Sequence, residues 1–210
     1  MAPPSVAEPI LLLGAGTFAL ILSGIGPHDR LTWLLEVLPV LLAVPLLLVT
    51  FRGFRLTPLL YRLIFLHGLI LMLGGHYTYA EVPLGFWIQE IFDLGRNHYD
   101  RLGHLAQGFI PAILAREILL RRTPLKAGRW LFVVVTSVCL AFSAFYEMLE
   151  WAAAVGLEQS ADAFLGTQGD PWDTQWDMFL ALIGAVLAQA TLAGLHDRQL
   201  ARLAGFAGRP

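Results

Sequence analysis

The chain predicts an all-α, polytopic membrane helix bundle of six transmembrane helices, forming one integral membrane domain over residues 1–210. Three observations lead there. Hydrophobic residues make up 57% of the sequence and charged residues only 14%, against about 25% charged in soluble domains, so too little polar surface remains to coat a globule in water. Six largely apolar stretches, each near the ~20 residues that cross a bilayer as a helix, run 9–27, 31–51, 58–77, 98–121, 130–152 and 171–195. Eleven of the fourteen Lys and Arg residues fall on one side of that six-span layout.

Each span has its own signals. Met1 to Glu8 carries no Lys or Arg, so the basic segment of a cleavable signal is missing and the first apolar run reads as a retained span. The second contains Pro39 and Pro45, and Glu36 early in its course; neighbouring helices can accommodate such prolines, whereas the lone acid needs a partner such as Arg96, Arg101 or a histidine. The third begins Thr57-Pro58, a capping residue followed by proline at the first helical position. Its mid-span His67 reads as a packed histidine with a single hydrogen bond. Asn97 is placed to cap the fourth, which holds Pro111 and ends with Arg116 and Glu117. The fifth contains Cys139, the only cysteine, so no intrachain disulfide can form, and a thiol in this apolar run reads as a packing residue. The sixth opens Asp170-Pro171, a second cap-and-proline start.

Positive charge sets the orientation. Arg52, Arg55 and Arg62 lie at one inter-span connection, Arg116, Arg121, Arg122, Lys126 and Arg129 at another, and Arg198, Arg202 and Arg209 in the tail, with only Arg30, Arg96 and Arg101 opposite. Both termini are therefore expected in the cytoplasm. Residues 156–170 contain no Lys or Arg, as suits an outer loop. Trp87, Tyr99, Tyr146, Trp151, Trp172 and Trp176 then collect near the outer interface, where amphipathic rings anchor helices. The net charge of −2 leaves no footprint for nucleic acid.

Ionisable residues gather at the same end. Asp100 and His104 are four apart on the fourth span, with Gln107 extending that face; Glu147 and Glu150 are three apart on the fifth; Asp173 and Asp177 are four apart on the sixth. Such spacings put each pair on one helix face. A charge at the centre of a membrane helix costs at least ~2.5 kcal/mol, and short acids cannot reach far towards water, so these groups should turn inward and meet.

Imidazole and carboxylates from facing helices can hold a divalent cation. Zn²⁺ accepts tetrahedral His and carboxylate donors, and Fe²⁺ or Mn²⁺ suits a mixed set with open positions. The candidate ligands are Asp100, His104, Glu147, Asp173 and Asp177. Glu147 and Asp177 are also the candidate catalytic acids or bases, and His76, Arg101, Gln107 and Glu150 the candidate ligand-binding groups. Structural readings stand beside these: Asp170 as a cap, Asp100 and Asp173 as first-turn acids, Arg101 neutralising Glu147 or Asp177, and Glu150 reaching headgroup water. HExxH, paired CxxC, ExxH, GxSxG, P-loop and dinucleotide-turn motifs are all missing from the sequence. Gly166-Thr167-Gln168-Gly169 reads as a turn before a helix or as a backbone nest for an anion.

The segments Gly75-His76-Tyr77-Thr78-Tyr79-Ala80-Glu81-Val82-Pro83, Tyr99-Asp100-Arg101-Leu102-Gly103-His104-Leu105-Ala106-Gln107-Gly108-Phe109, Phe145-Tyr146-Glu147, Glu150-Trp151, Gly166-Thr167-Gln168-Gly169-Asp170 and Trp172-Asp173-Thr174-Gln175-Trp176-Asp177 closely resemble the YjdF-like family of bacterial inner-membrane proteins, across roughly residues 30–195. The resemblance implies an inner-membrane location and brings no catalytic residue with it. A fainter similarity to VanZ-like membrane proteins rests on Asp100 and His104 opening one helix, with Glu147 and Asp177 on later ones. It implies a cell-envelope or lipid-linked role. The expectation is a pocket facing the periplasm that binds or acts on an envelope or lipid-headgroup ligand. A small transporter and a non-catalytic scaffold are the alternatives. The sequence leaves the oligomeric state open.

Overall fold

The computed structural model describes residues 6–157 and 168–207. Among them are seven α-helices, one 3-10 turn and no strand: α1 Ala7–Ser23, α2 Arg30–Thr50, α3 Pro58–Tyr77, the 3-10 turn Tyr79–Glu81, α4 Pro83–Phe92, α5 Tyr99–Arg122, α6 Arg129–Leu157 and α7 Asp173–Ala207. Four of these, α2, α3, α6 and α7, are long and apolar enough to cross a membrane by length and composition. The 17-residue α1 is shorter. α5, 24 residues long, is loaded with ionisable groups.

The start signals act much as their chemistry dictates. Thr57 caps α3 by accepting from the Leu60 amide at 3.4 Å, with Pro58 in the first turn. Asn97 stands one residue before the cap position of α5, which His98 fills, and closes a turn by accepting from the Tyr99 amide at 3.0 Å. Asp170 departs from expectation: its side chain accepts from the Trp172 amide at 2.9 Å, closing a turn two residues on, and α7 begins only at Asp173. Asp29 is a further cap, accepting from the Thr32 amide at 2.7 Å, and that bond holds its carboxyl below the usual range. Asp29→Ala is expected to cost about 1 kcal/mol. A folded-state pKa below the unfolded one gives stability present at neutral pH and lost as pH falls through the folded value. Thermal unfolding curves of variant and parent should therefore converge in acid.

α7 runs to Ala207 rather than stopping near residue 195. Its 35 residues span about 52 Å at 1.5 Å per residue, beyond a hydrocarbon core of ~30 Å, so its end stands clear of the apolar layer. No proline interrupts it.

α5 is the centre of the bundle, packed on α3, α6 and α7, while α1 and α2 pack on α3. The α5–α7 crossing is backbone on backbone. A Cβ at Gly108 would collide with the Ala181 carbonyl oxygen, and one at Gly184 with the Leu105 carbonyl. Lipid tails are as apolar as leucine, so close van der Waals approach through small residues, rather than expulsion of water, drives such pairing. Shielding by neighbours also explains how α5 tolerates its charges.

The bundle is layered. Its apolar core joins Leu60, Ile113, Leu131, Val135, Cys139 and Ala185. Polar layers lie on either side. On α5 the order is Asp100 and His104, then Ala112 and Ile113, then Arg116 and Glu117; on α7 it is Asp177, then Ala185 and Ala188, then His196; all are buried. From His104 to Arg116 is about 18 Å along the helix.

The Glu117 layer is fully paired. Glu117 accepts from the Thr57 hydroxyl at 2.8 Å, from Arg121 at 2.6 Å and from His196 Nε2 at 3.0 Å. Arg116 donates to His196 Nδ1 at 2.9 Å and pairs with Asp197 at 2.7 Å. Arginine only donates, so the His196 proton sits on Nε2 and points at Glu117. This network ties the start of α3 to α5 and α7.

Candidate functional site

The polar layer at the Asp100 end of α5 is assembled by four helices. α2 contributes Glu36, α5 Asp100 and His104, α6 Glu147 and Glu150, and α7 Asp177, none more than 8% exposed. The stripe Leu131, Val135, Cys139, Ser143, Glu147 on α6 is buried at four-residue spacing, so the face that packs the core carries the acids into the bundle at its far end. Glu36 lies near enough to feel the charges of Asp100 and His104. Two glycines make room here: the ring of Tyr79 occupies the space a side chain would need at Gly74 of α3 and at Gly103 of α5.

His104 is the hub. Its Nδ1 faces Gln107 Oε1 at 3.0 Å. An amide oxygen only accepts, so Nδ1 carries the proton. Nε2 faces Asp100 Oδ1 at 3.6 Å and Asp177 Oδ2 at 4.0 Å, beyond hydrogen-bond reach. With the ring neutral, three acceptors confront one another across a gap; with the ring protonated, Nε2–H points at two carboxylates. Two donors ~2.1 Å from one ion at the tetrahedral angle stand about 3.4 Å apart, so this gap is close to the size a divalent cation bridges. Ligand atoms of Asp100, His104 and Asp177 all lie within 4.8 Å of one another, as do those of His104, Glu147 and Glu150. The second set would call on Nδ1, which donates to Gln107. The tautomer therefore favours the first set and leaves Glu147 and Glu150 around it.

Polar satisfaction points the same way. Asp100 Oδ2, Glu147 Oε1 and Asp177 Oδ1 are buried without a hydrogen-bond partner, as are Ser143 Oγ and His67 Nε2. Among the described residues, no Lys or Arg forms an ion pair with Glu36, Asp100, Glu147, Glu150 or Asp177. His104 lies 3.6 Å from Asp100, 3.7 Å from Glu147 and 4.0 Å from Asp177; one imidazole cannot neutralise several buried carboxylates, so the others must take up protons or a cation. Beside His104 lies a cavity of about 50 Å³, bounded by Glu36, His67, Tyr79, Tyr146 and Glu150, with room for ordered water.

Three of the expected site residues are engaged elsewhere. His76 hydrogen-bonds the Ser23 carbonyl at 2.9 Å and packs edge-on against Tyr77. Arg101 pairs with Asp170 at 2.8 Å and covers Trp176, rather than reaching Glu147 or Asp177. Asp173 is held by Arg96 in a short ion pair. Arg96 and Arg101 thus compensate the acids at the start of α7. Tyr99 and Tyr146 also depart from the expected aromatic belt. Tyr99 is 2% exposed and donates to the Ile70 carbonyl at 3.0 Å, and Tyr146 lines the cavity, whereas Trp87, Trp151, Trp172 and Trp176 are exposed. Gly166 and Thr167 lie outside the described residues; Gln168 donates to the Asn97 carbonyl at 2.8 Å.

Sequence reasoning did not assign Glu36, Tyr79, Tyr146 or Ser143 to the site, nor the Glu117–His196 pair to anything. For Glu36 and Glu117 a signal existed, since an acid inside an apolar helix requires a partner. Tyr79 and Ser143 carry none, because neither residue type is unusual in a helical membrane protein.

A bundle of apolar helices enclosing a layer of acids around one histidine defines a multi-pass membrane protein with a buried polar centre. The chain belongs to the family described as "Predicted membrane protein (DUF2238)", which matches residues 9–198. It is similar to "Inner membrane protein YjdF" of Escherichia coli (strain K12), 55% identical over 192 residues that cover 91% of this chain and 92% of that protein. No solved structure matches the chain.

Proposed function

We propose that this protein is a single inner-membrane domain over residues 1–210, crossing the bilayer six times with both termini cytoplasmic. Under the periplasmic surface it holds a divalent cation at Asp100, His104 and Asp177. It uses that ion on an envelope or lipid-headgroup ligand. The observation that carries this is His104 Nε2 facing two carboxylate oxygens at 3.6 and 4.0 Å, too far for a hydrogen bond and within reach of one bridging ion. One histidine with two carboxylates and open positions suits Mn²⁺ or Fe²⁺, with Zn²⁺ also accommodated. A bound ion would supply Lewis-acid chemistry; Glu147, with an unpartnered oxygen 3.7 Å from His104, would serve as general base. Glu150 lines the adjoining cavity. Ligand pockets usually occupy 300–1,000 Å³; at about 50 Å³ this cavity suits the ion's waters, and a headgroup would approach from its edge. Six crossings are supported by the shielding of α5 and by the length of α1, 17 residues, at the lower limit for a span.

The apolar layer between the outer cluster and Glu117 argues against a transport path. The orphaned oxygens argue against a scaffold whose polar groups only pair with each other. Elemental analysis of detergent-purified protein tests the reading. One equivalent of Zn, Fe or Mn is expected in the parent, with none in Asp177→Ala and weaker retention in Glu147→Ala. A parent that is empty and cannot be reconstituted with any of the three would remove the metal.

A further inference from the structure

The segment between α3 and α5 is not a plain loop. It holds the 3-10 turn Tyr79–Glu81 and then α4, Pro83–Phe92, and α4 presents three different faces. Gly85, buried, faces the protein, where the Asn97 side chain packs directly over it, and Asn97 Nδ2 donates to the Val82 carbonyl at 3.0 Å. Leu84, Trp87 and Ile91 recur at the three- and seven-residue spacing of a second face, and Trp87 and Ile91 are 66% and 65% exposed. Glu90 and Asp93, both exposed, occupy a third direction, with Phe86, 45% exposed, beside Glu90, and Phe92, 68% exposed, beyond Gly85 at the helix end. Asp93 ends the helix in the left-handed conformation with φ +50°.

A chain emerging from α3 and returning into α5 must run at the membrane surface between them. Exposed apolar side chains also stand at the corresponding ends of other helices: Tyr77 of α3, Met148 and Trp151 of α6, and Trp176 of α7. A short helix with apolar, polar and protein-facing sides at that depth matches an interfacial helix. We propose that α4 lies in the plane of the membrane, its Leu84–Trp87–Ile91 face sunk among the phospholipids of the leaflet nearer the acid–histidine cluster. The polar face carries acids rather than Lys or Arg, so apolar burial holds the helix and anionic lipid adds nothing. Through Asn97 the helix is locked to the start of α5, three residues from Asp100, which fixes the depth of the cluster relative to the headgroups. The in-plane seat rests on the proposed crossing of α5 and not on the proposed metal; the identity of the leaflet rests on the proposed orientation.

Spin labels placed singly at 84, 87, 90, 91 and 93, with Cys139 replaced by alanine, test this in vesicles of phosphatidylethanolamine with and without phosphatidylglycerol. Cys139 can also be left in place, since at 2% exposure it is shielded from label. Labels at 84, 87 and 91 are expected to collide with dissolved oxygen several-fold more than with a water-soluble nickel complex. Labels at 90 and 93 should show the reverse, and phosphatidylglycerol should change neither pattern. Nickel access at all five positions would mean the helix stands clear of lipid. Exclusion of both reagents from 84, 87 and 91 would mean that protein, a partner or a second copy, covers the face. Either result overturns the proposal. Labelling of a cysteine at 90 by an impermeant thiol reagent added outside spheroplasts reads the leaflet separately, and failure there strikes the orientation alone.

Discussion

His104→Ala is expected to abolish stabilisation of the purified protein by divalent cations. A cation that binds only the folded state at 100 times its dissociation constant adds about 2.7 kcal/mol, and about 2–4 °C per kcal/mol is typical for a chain of this size. The parent should therefore gain roughly 5–10 °C in melting temperature on adding saturating Mn²⁺ or Zn²⁺, and the variant nothing. His104 is decisive because its Nε2 faces both carboxylates. Gln107→Leu removes the acceptor that holds the proton on Nδ1, and partners of this kind typically change metal affinity by about 10–100-fold, so it should weaken the shift without erasing it. Asp173→Asn supplies the contrast. Asp173 is Arg96's counter-ion, so its loss should lower stability with cation affinity little changed. Binding displaces protons from the ligands, so the stabilisation should shrink as pH falls. An equal cation-induced shift in parent and His104→Ala would sink the assignment.

Glu117→Ala is expected to destabilise the fold by about 3–5 kcal/mol, the usual cost of leaving one side of a buried ionic network unpaired. Glu117 is fully buried and accepts at once from Thr57, Arg121 and His196. Truncation strands the Thr57 amide and hydroxyl and the His196 Nε2 proton in the buried interior, and frees one arm of the partly exposed Arg121. Glu117→Gln keeps an acceptor and should cost less. Thermal unfolding in detergent, followed by size exclusion, measures both. A Glu117→Ala protein within about 1 kcal/mol of the parent would show that the network is incidental to stability. Because the apolar layer separates this network from the acid–histidine cluster, the variant that survives purification should bind cation normally.

How much was legible beforehand differs by level. Helix positions were, because a bilayer demands long apolar runs and because caps such as Thr57 act through local bonds. Pairing within each helix was legible too: the spacings Asp100/His104, Glu147/Glu150 and Asp173/Asp177 put each pair on a buried face. The end of α7 was not, since membrane exit does not require a helix to stop. Nor was α4, a 10-residue helix too short to register against spans twice its length.

The residues alone determined that this chain lives among helices in a membrane and that its acids and histidines must avoid lipid, since solvation energy depends on residue type and helical period. Which acid meets which partner was decided only by tertiary structure. Arg96 and Arg101 stand as close in sequence to Asp100 as to anything else, yet they turn to Asp173 and Asp170. Glu36, an apparently solitary acid, joins the cluster, and His196 comes to Glu117 from 79 residues away. Short-range helix geometry says which way a side chain points; only the close crossing of α5 and α7, set by glycines on both, says what it finds there.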